Sequence, residues 1–76
     1  MAKTFSGKLI IKILEKYFYF VQVSQKGSHV KLEKKVGNET IVTVVPLHKE
    51  VQSGTLYGVL ALAKIDKKEF LKVAKK

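Results

Sequence analysis

The sequence has no cysteine, no tryptophan and no arginine, and only one proline. The missing thiols exclude disulfides, cysteine-ligated zinc and a thiol nucleophile. Histidine is scarce as well. His29 and His48 are the two, too few for a structural zinc site of the usual four protein ligands. Long apolar runs are also missing. The longest, Tyr17 to Val23, is seven residues with Gln22 inside it, against about 20 for a membrane-spanning helix. No secretory apolar region follows the N-terminal lysine, so a cytoplasmic chain without a membrane partner is expected. Neither a Gly-x-x-x-x-Gly-Lys-Ser/Thr loop nor a Gly-x-Gly-x-x-Gly turn occurs, so a nucleotide cofactor has no support in the sequence.

Acidic residues are few. Six Asp and Glu stand against 15 basic residues, all lysine, for a formal charge of +9. Yet 46% of the chain is hydrophobic, too much for a disordered basic tail. The 76 residues allow a single domain, 1–76, whose core is small enough to gain from a partner. Such an excess of positive charge points to a polyanion, either nucleic acid or an acidic protein.

The apolar spacing predicts an amphipathic helix. Ser6 can cap it, and Leu9, Ile10, Ile13, Leu14 and Tyr17 recur on one face, opposite Lys8, Lys12, Glu15 and Lys16. The aromatic and β-branched run Tyr17–Val23 suits a strand. Gly27 and Gly37 mark two turns. Between them Val30 and Leu32 alternate with His29, Lys31 and Glu33, the period of a half-buried strand. Thr40–Val45 is a third strand, closed by Pro46. Ser53 can cap a helix carrying Leu56, Val59, Leu60 and Ala63. Asp66 and Glu69 resemble a capping box for a short last helix with Phe70. The order α-β-β-β-α-α is an α+β fold: a three-stranded antiparallel sheet, helices on one face, the other face wet.

His29 is the candidate for chemistry, because it follows a glycine turn, points outward and lies near Lys26 and Lys31. Histidine titrates near neutrality and can both take and give a proton. Ser28 beside it faces the other way on a strand, which disfavours a serine–histidine nucleophile. No spacing joins His29 to His48 as metal ligands, and no paired carboxylates have ligand spacing, so neither metal nor cofactor is expected. Lys26, Lys31, Lys34 and Lys35 crowd the first hairpin. Lys64, Lys67, Lys68, Lys72, Lys75 and Lys76 crowd the C-terminal end. Phe18, Phe20 and Phe70 read as core, and Tyr17, Tyr19 and Tyr57 as core or rim, with exposure and stacking on bases as the alternative.

Several of these residues occur together in one family. Ser6-Gly7-Lys8-Leu9-Ile10, Gln25-Lys26-Gly27-Ser28-His29, Val44-Val45-Pro46-Leu47-His48, Gly54-Thr55-Leu56 and Glu69-Phe70-Leu71 resemble the HicA toxins of bacterial and archaeal toxin–antitoxin pairs. The resemblance covers essentially the whole chain. It implies a double-stranded-RNA-binding-like α-β-β-β-α fold and an mRNA interferase with His29 as its catalytic residue. It matches Gly27 and Ser28 to the motif's turn residues, leaves His48 a possible supporting role, and implies a HicB-like antitoxin that covers His29. With RNA as the polyanion, Lys26, Gly27, Ser28, Lys31 and Lys34 are the expected contacts. Three positions depart from the family pattern. Tyr19 and Lys64 stand where glycine is usual, and Ser24 where arginine is frequent, which removes one cation near the site.

Two other functions fit the same composition. A non-catalytic module of this fold would bind RNA by shape and phosphate contacts. A small interaction protein would offer its basic face to an acidic partner.

Overall fold

The computed structural model describes residues 4–74, so the expectations for Met1–Lys3, Lys75 and Lys76 lie outside the described residues. The elements are α1 (Gly7–Phe18), β1 (Val21–Lys26), β2 (His29–Val36), β3 (Glu39–Pro46), α2 (Ser53–Ala63) and α3 (Lys67–Ala74). This is the α-β-β-β-α order with a short additional C-terminal helix.

The Ser6 hydroxyl accepts the Leu9 amide at 3.1 Å and starts α1. The buried stripe of α1 is Gly7, Ile10, Ile11, Ile13 and Leu14. Leu9, expected inside, is 43% exposed, and Ile11 takes its place. At 100° per residue Ile10 and Leu14 centre the stripe, Ile11 and Ile13 flank it, and Leu9 falls beyond its rim. Tyr17 and Phe18, where the helix and strand patterns overlap in the sequence, close the helix, and the strand starts only at Val21. Tyr19 then turns left-handed (φ 63°), and its amide and that of Phe20, the latter at 3.1 Å, both reach back to the Leu14 carbonyl, a closure one residue wider than the Schellman bond.

The second helix also ends on a left-handed residue, here closed by the Schellman bond. Lys64 is left-handed (φ 57°), with the Ile65 amide on the Leu60 carbonyl at 2.9 Å. Tyr19 and Lys64 are therefore the two described non-glycine residues with positive φ. Both stand where the resembling family has glycine. Lys64 gains an ion pair with Glu39 at 2.7 Å. Tyr19 is 76% exposed and has little packing to lose. A left-handed non-glycine residue costs about 1–2 kcal/mol, partly offset by glycine's larger unfolded-state entropy. Tyr19→Gly is accordingly expected to stabilise the chain by about 0.5–1 kcal/mol, read as a rise of a few degrees in thermal melting.

The sheet order is β1-β2-β3, antiparallel throughout. Gly27 (φ 60°) and Gly37 (φ 61°) each open a two-residue hairpin loop, the position that type II′ turns reserve for glycine. Val30 and Leu32 of β2 point into the core with Thr43 and Val45 of β3. The Thr43 hydroxyl donates to the Val59 carbonyl at 2.8 Å, which satisfies the one buried polar side chain among the described residues and ties β3 to α2.

The helices cover this inner face. The core joins the α1 stripe to Phe20, the strand residues, Val51, Leu56, Val59, Leu60, Ala63 and Phe70. Ser53, expected as the cap of α2, is its first helical residue. Gln52 holds the cap position and makes no side-chain capping bond. Asp66 does cap α3, its carboxylate accepting the Lys68 amide at 3.1 Å. Phe5 is more than a leader residue. It bridges to Val51 and meets the Phe70 ring edge-on at 5.6 Å.

Candidate functional site

The outer face of the sheet is set by the parity of β2. Val30 and Leu32 face inward, so His29, Lys31, Glu33 and Lys35 face outward. Cross-strand register supplies their neighbours. His29 sits between Lys26 of β1 and Pro46 of β3, Lys31 between Ser24 and Val44, and Glu33 between Val21 and Val42. Paired Cα atoms lie about 5 Å apart, and His29 and Lys31, two residues apart on one strand, about 7 Å. The exposed His29 ring thus lies within lysine-chain reach of two cations. Among the described residues its side chain forms no hydrogen bond and no ion pair, so both ring nitrogens are open to a ligand.

The end of the sheet that carries His29 is pinned from behind. The Leu47 amide donates to the Ser28 carbonyl at 2.7 Å, and the Gly7 amide donates to the His48 carbonyl at 2.8 Å. The N-terminus of α1 presses so close to the chain at Pro46 that a Cβ on Gly7 would collide with the Pro46 carbonyl. Glycine is required there by the approach of two backbones. His48 contributes to this junction through its main chain, while its side chain is exposed in the loop after β3. Gly27 and Ser28 form the exposed hairpin tip next to His29.

Lys26, Gly27, Ser28, His29 and Lys31 therefore share one end and one face of the sheet. Lys34 does not join them. It has inward parity, is half-buried, and its ammonium lies 5.8 Å from the centre of the Phe20 ring. Lys35 occupies the outward parity that an extended phosphate track along β2 needs. It was legible in the alternation, but the hairpin's lysines read as a cluster in the sequence. The remaining described lysines lie elsewhere. Lys8, Lys12 and Lys16 line the exposed side of α1, and Lys67 rests on the Tyr57 ring at 4.6 Å.

An exposed imidazole beside ammonium groups can exchange a proton with a bound phosphodiester while the cations offset charge on its oxygens. No group of three or more His, Asp or Glu among the described residues is placed to hold a metal ion. No described helix is long and apolar enough to cross a membrane.

The sequence model of one family, described as HicA toxin of bacterial toxin–antitoxin, matches residues 7–65. The match runs from the start of α1 to the residue after the Lys64 cap, and so takes in the whole sheet and the His29 end. Comparison with curated proteins and with solved structures finds no match.

Proposed function

The chain belongs to the HicA toxin family of bacterial toxin–antitoxin systems, and from that premise we propose that it is an endoribonuclease acting on mRNA through His29. The observation that carries the proposal is the outward, unpartnered His29 between Lys26 and Lys31 on an otherwise wet sheet face. RNA lies across this face, its phosphates against Lys26, Lys31 and the exposed amides of Gly27 and Ser28. The His29 imidazole takes the proton of a ribose 2′-OH. The 2′-oxygen bonds to phosphorus, the bond to the 5′-oxygen breaks, and the leaving oxygen takes up a proton. Lysine ammonium groups offset the charge that gathers on the phosphoryl oxygens. His48 supports the site through the loop that anchors Pro46 opposite His29. A HicB-like antitoxin silences the toxin by covering His29, and the pair acts in the cytoplasm.

Expression of the chain alone in a bacterial host is expected to arrest growth and shorten cellular mRNA within minutes. Co-expression of the product of the gene next to this chain's own should restore both. Purified protein should cut RNA without ribosomes, with substrate binding that weakens steeply as salt rises. RNA that is bound but stays intact would point to the non-catalytic RNA-binding module instead.

A further inference from the structure

We infer that the free edge of β1 is a docking site for a β-strand of an acidic partner protein, with Tyr19 as its aromatic anchor. The inference rests on the toxin–antitoxin reading and specifies how the antitoxin attaches. β1 pairs only with β2, and its other edge is open. All six of its residues, Val21 to Lys26, are exposed, with the Gln22 amide donating to the Glu15 carboxylate of α1 at 3.2 Å. Two of its side chains are apolar, and an exposed tyrosine stands just ahead of it. Tyr19, Val21 and Val23, at alternate positions with the buried Phe20 between the first two, are 76%, 59% and 46% exposed. An uncovered strand of this composition invites pairing with another chain, and Lys26 is its only charge.

Tyr19 adds an independent observation. It holds a left-handed conformation that glycine adopts at lower cost. Lys64, in the same conformation, has its bond to Glu39. Tyr19 makes no hydrogen bond or ring contact among the described residues. A strained, exposed tyrosine without a partner in its own chain is suited to a partner in another, since tyrosine is among the residues that dominate interface energies.

Charge selects the occupant. A second copy would bring another +9 to the contact, whereas an acidic strand would meet Lys26, with Lys31 one strand further in, opposite Ser24. The edge also leads to the proposed active site, because Lys26 is the cross-strand neighbour of His29. A strand of about six residues added along β1 extends the sheet by one position, about 5 Å. The partner's body then stands beside His29. The bulge at Val23, where the β1–β2 register shifts between Gln22 and Ser24, re-aims the edge side chains and sets the register an incoming strand must match.

The test pairs the full chain with the product of the adjacent gene. Val21→Lys with Val23→Lys places charge on the edge and leaves the core alone. This double variant should keep wild-type RNA cleavage within about 2-fold while binding the antitoxin at least about 30-fold more weakly. Tyr19→Gly should melt higher than wild type yet bind more weakly. Hydrogen exchange on the wild-type complex should show new protection at the amides of residues 21–26. Antitoxin binding unchanged in both variants, with no new protection, overturns the edge as the docking site and leaves the toxin reading standing. Loss of RNA cleavage in a folded double variant overturns it in favour of RNA. A dimer of the isolated chain that the double variant abolishes overturns it in favour of a second copy. No complex with wild type overturns this inference together with the toxin–antitoxin reading.

Discussion

His29→Ala is expected to lower RNA cleavage by about 100- to 10,000-fold, the range that a lone general acid–base group contributes, and to abolish growth arrest. The fold should be untouched. The ring is exposed, makes no hydrogen bond among the described residues, and sits on the wet face of β2. Changes at such positions usually move stability by less than about 0.5 kcal/mol. Single-turnover cleavage of a defined RNA, measured beside thermal melting of both proteins, separates the two effects. Lys31→Ala should act differently. It removes a phosphate contact rather than the proton carrier, so its loss should appear mainly as weaker binding that high salt equalises with wild type. Wild-type cleavage by His29→Ala would remove His29 from the chemistry whatever the family.

The architecture was legible because its two periods are clean where they matter. Val30 and Leu32 against His29 and Lys31 could only be a half-buried strand, and Gly27 and Gly37 stand at the turns with the positive φ that glycine supplies. The Ser6 and Asp66 caps were visible for the same local reason, a side-chain oxygen placed ahead of an apolar stripe. The end of α1 was obscure. Tyr17 and Phe18 have strand-like side chains, but burial against the core and the left-handed closure at Tyr19 outweigh intrinsic preference. Ser53 misled because a good capping residue stands one position inside the helix, where Gln52 begins it.

The candidate site was legible to the extent that it depends on parity. His29, Lys26 and Lys31 follow from a strand, a two-residue turn and a strand, and the register places them together. Lys34 did not follow, because a cluster in sequence becomes two faces in a strand. The β1 edge was hidden for a further reason. With all six residues exposed the strand has no inside and outside to alternate, and the bulge at Val23 breaks the period-2 count in any case. Tyr19 reads in the sequence as core or rim, with an exposed, base-stacking tyrosine as the alternative. Only its left-handed backbone and its solvent exposure mark it out.

The chemistry makes a further demand on the substrate. The chain has no cysteine, and its described residues contain no cluster of three or more His, Asp or Glu. The proposed reaction accordingly draws its nucleophile from the RNA, because a ribose 2′-OH is tethered beside the phosphate and needs only deprotonation to attack. Three results are expected together. Cleavage should persist in excess chelator. A single 2′-deoxy nucleotide just 5′ of the scissile phosphate should stop cutting at that bond by at least about 1,000-fold, since removing the nucleophile forfeits the whole effective-molarity advantage of an intramolecular attack. The upstream product of ordinary RNA should end in a 2′,3′-cyclic phosphate or the 3′-phosphate formed when water opens it, and the downstream product should begin with a free 5′-hydroxyl. Mass spectrometry of the fragments reads both ends. The deoxy result also separates chemistry from binding. A missing hydroxyl leaves every phosphate in place for Lys26 and Lys31, so the modified strand should still bind and compete against normal RNA with nearly unchanged affinity. A 5′-phosphate on the downstream fragment, undiminished cutting at the deoxy position, or loss of activity in chelator that metal restores would each overturn this mechanism, and His29 would then need another role.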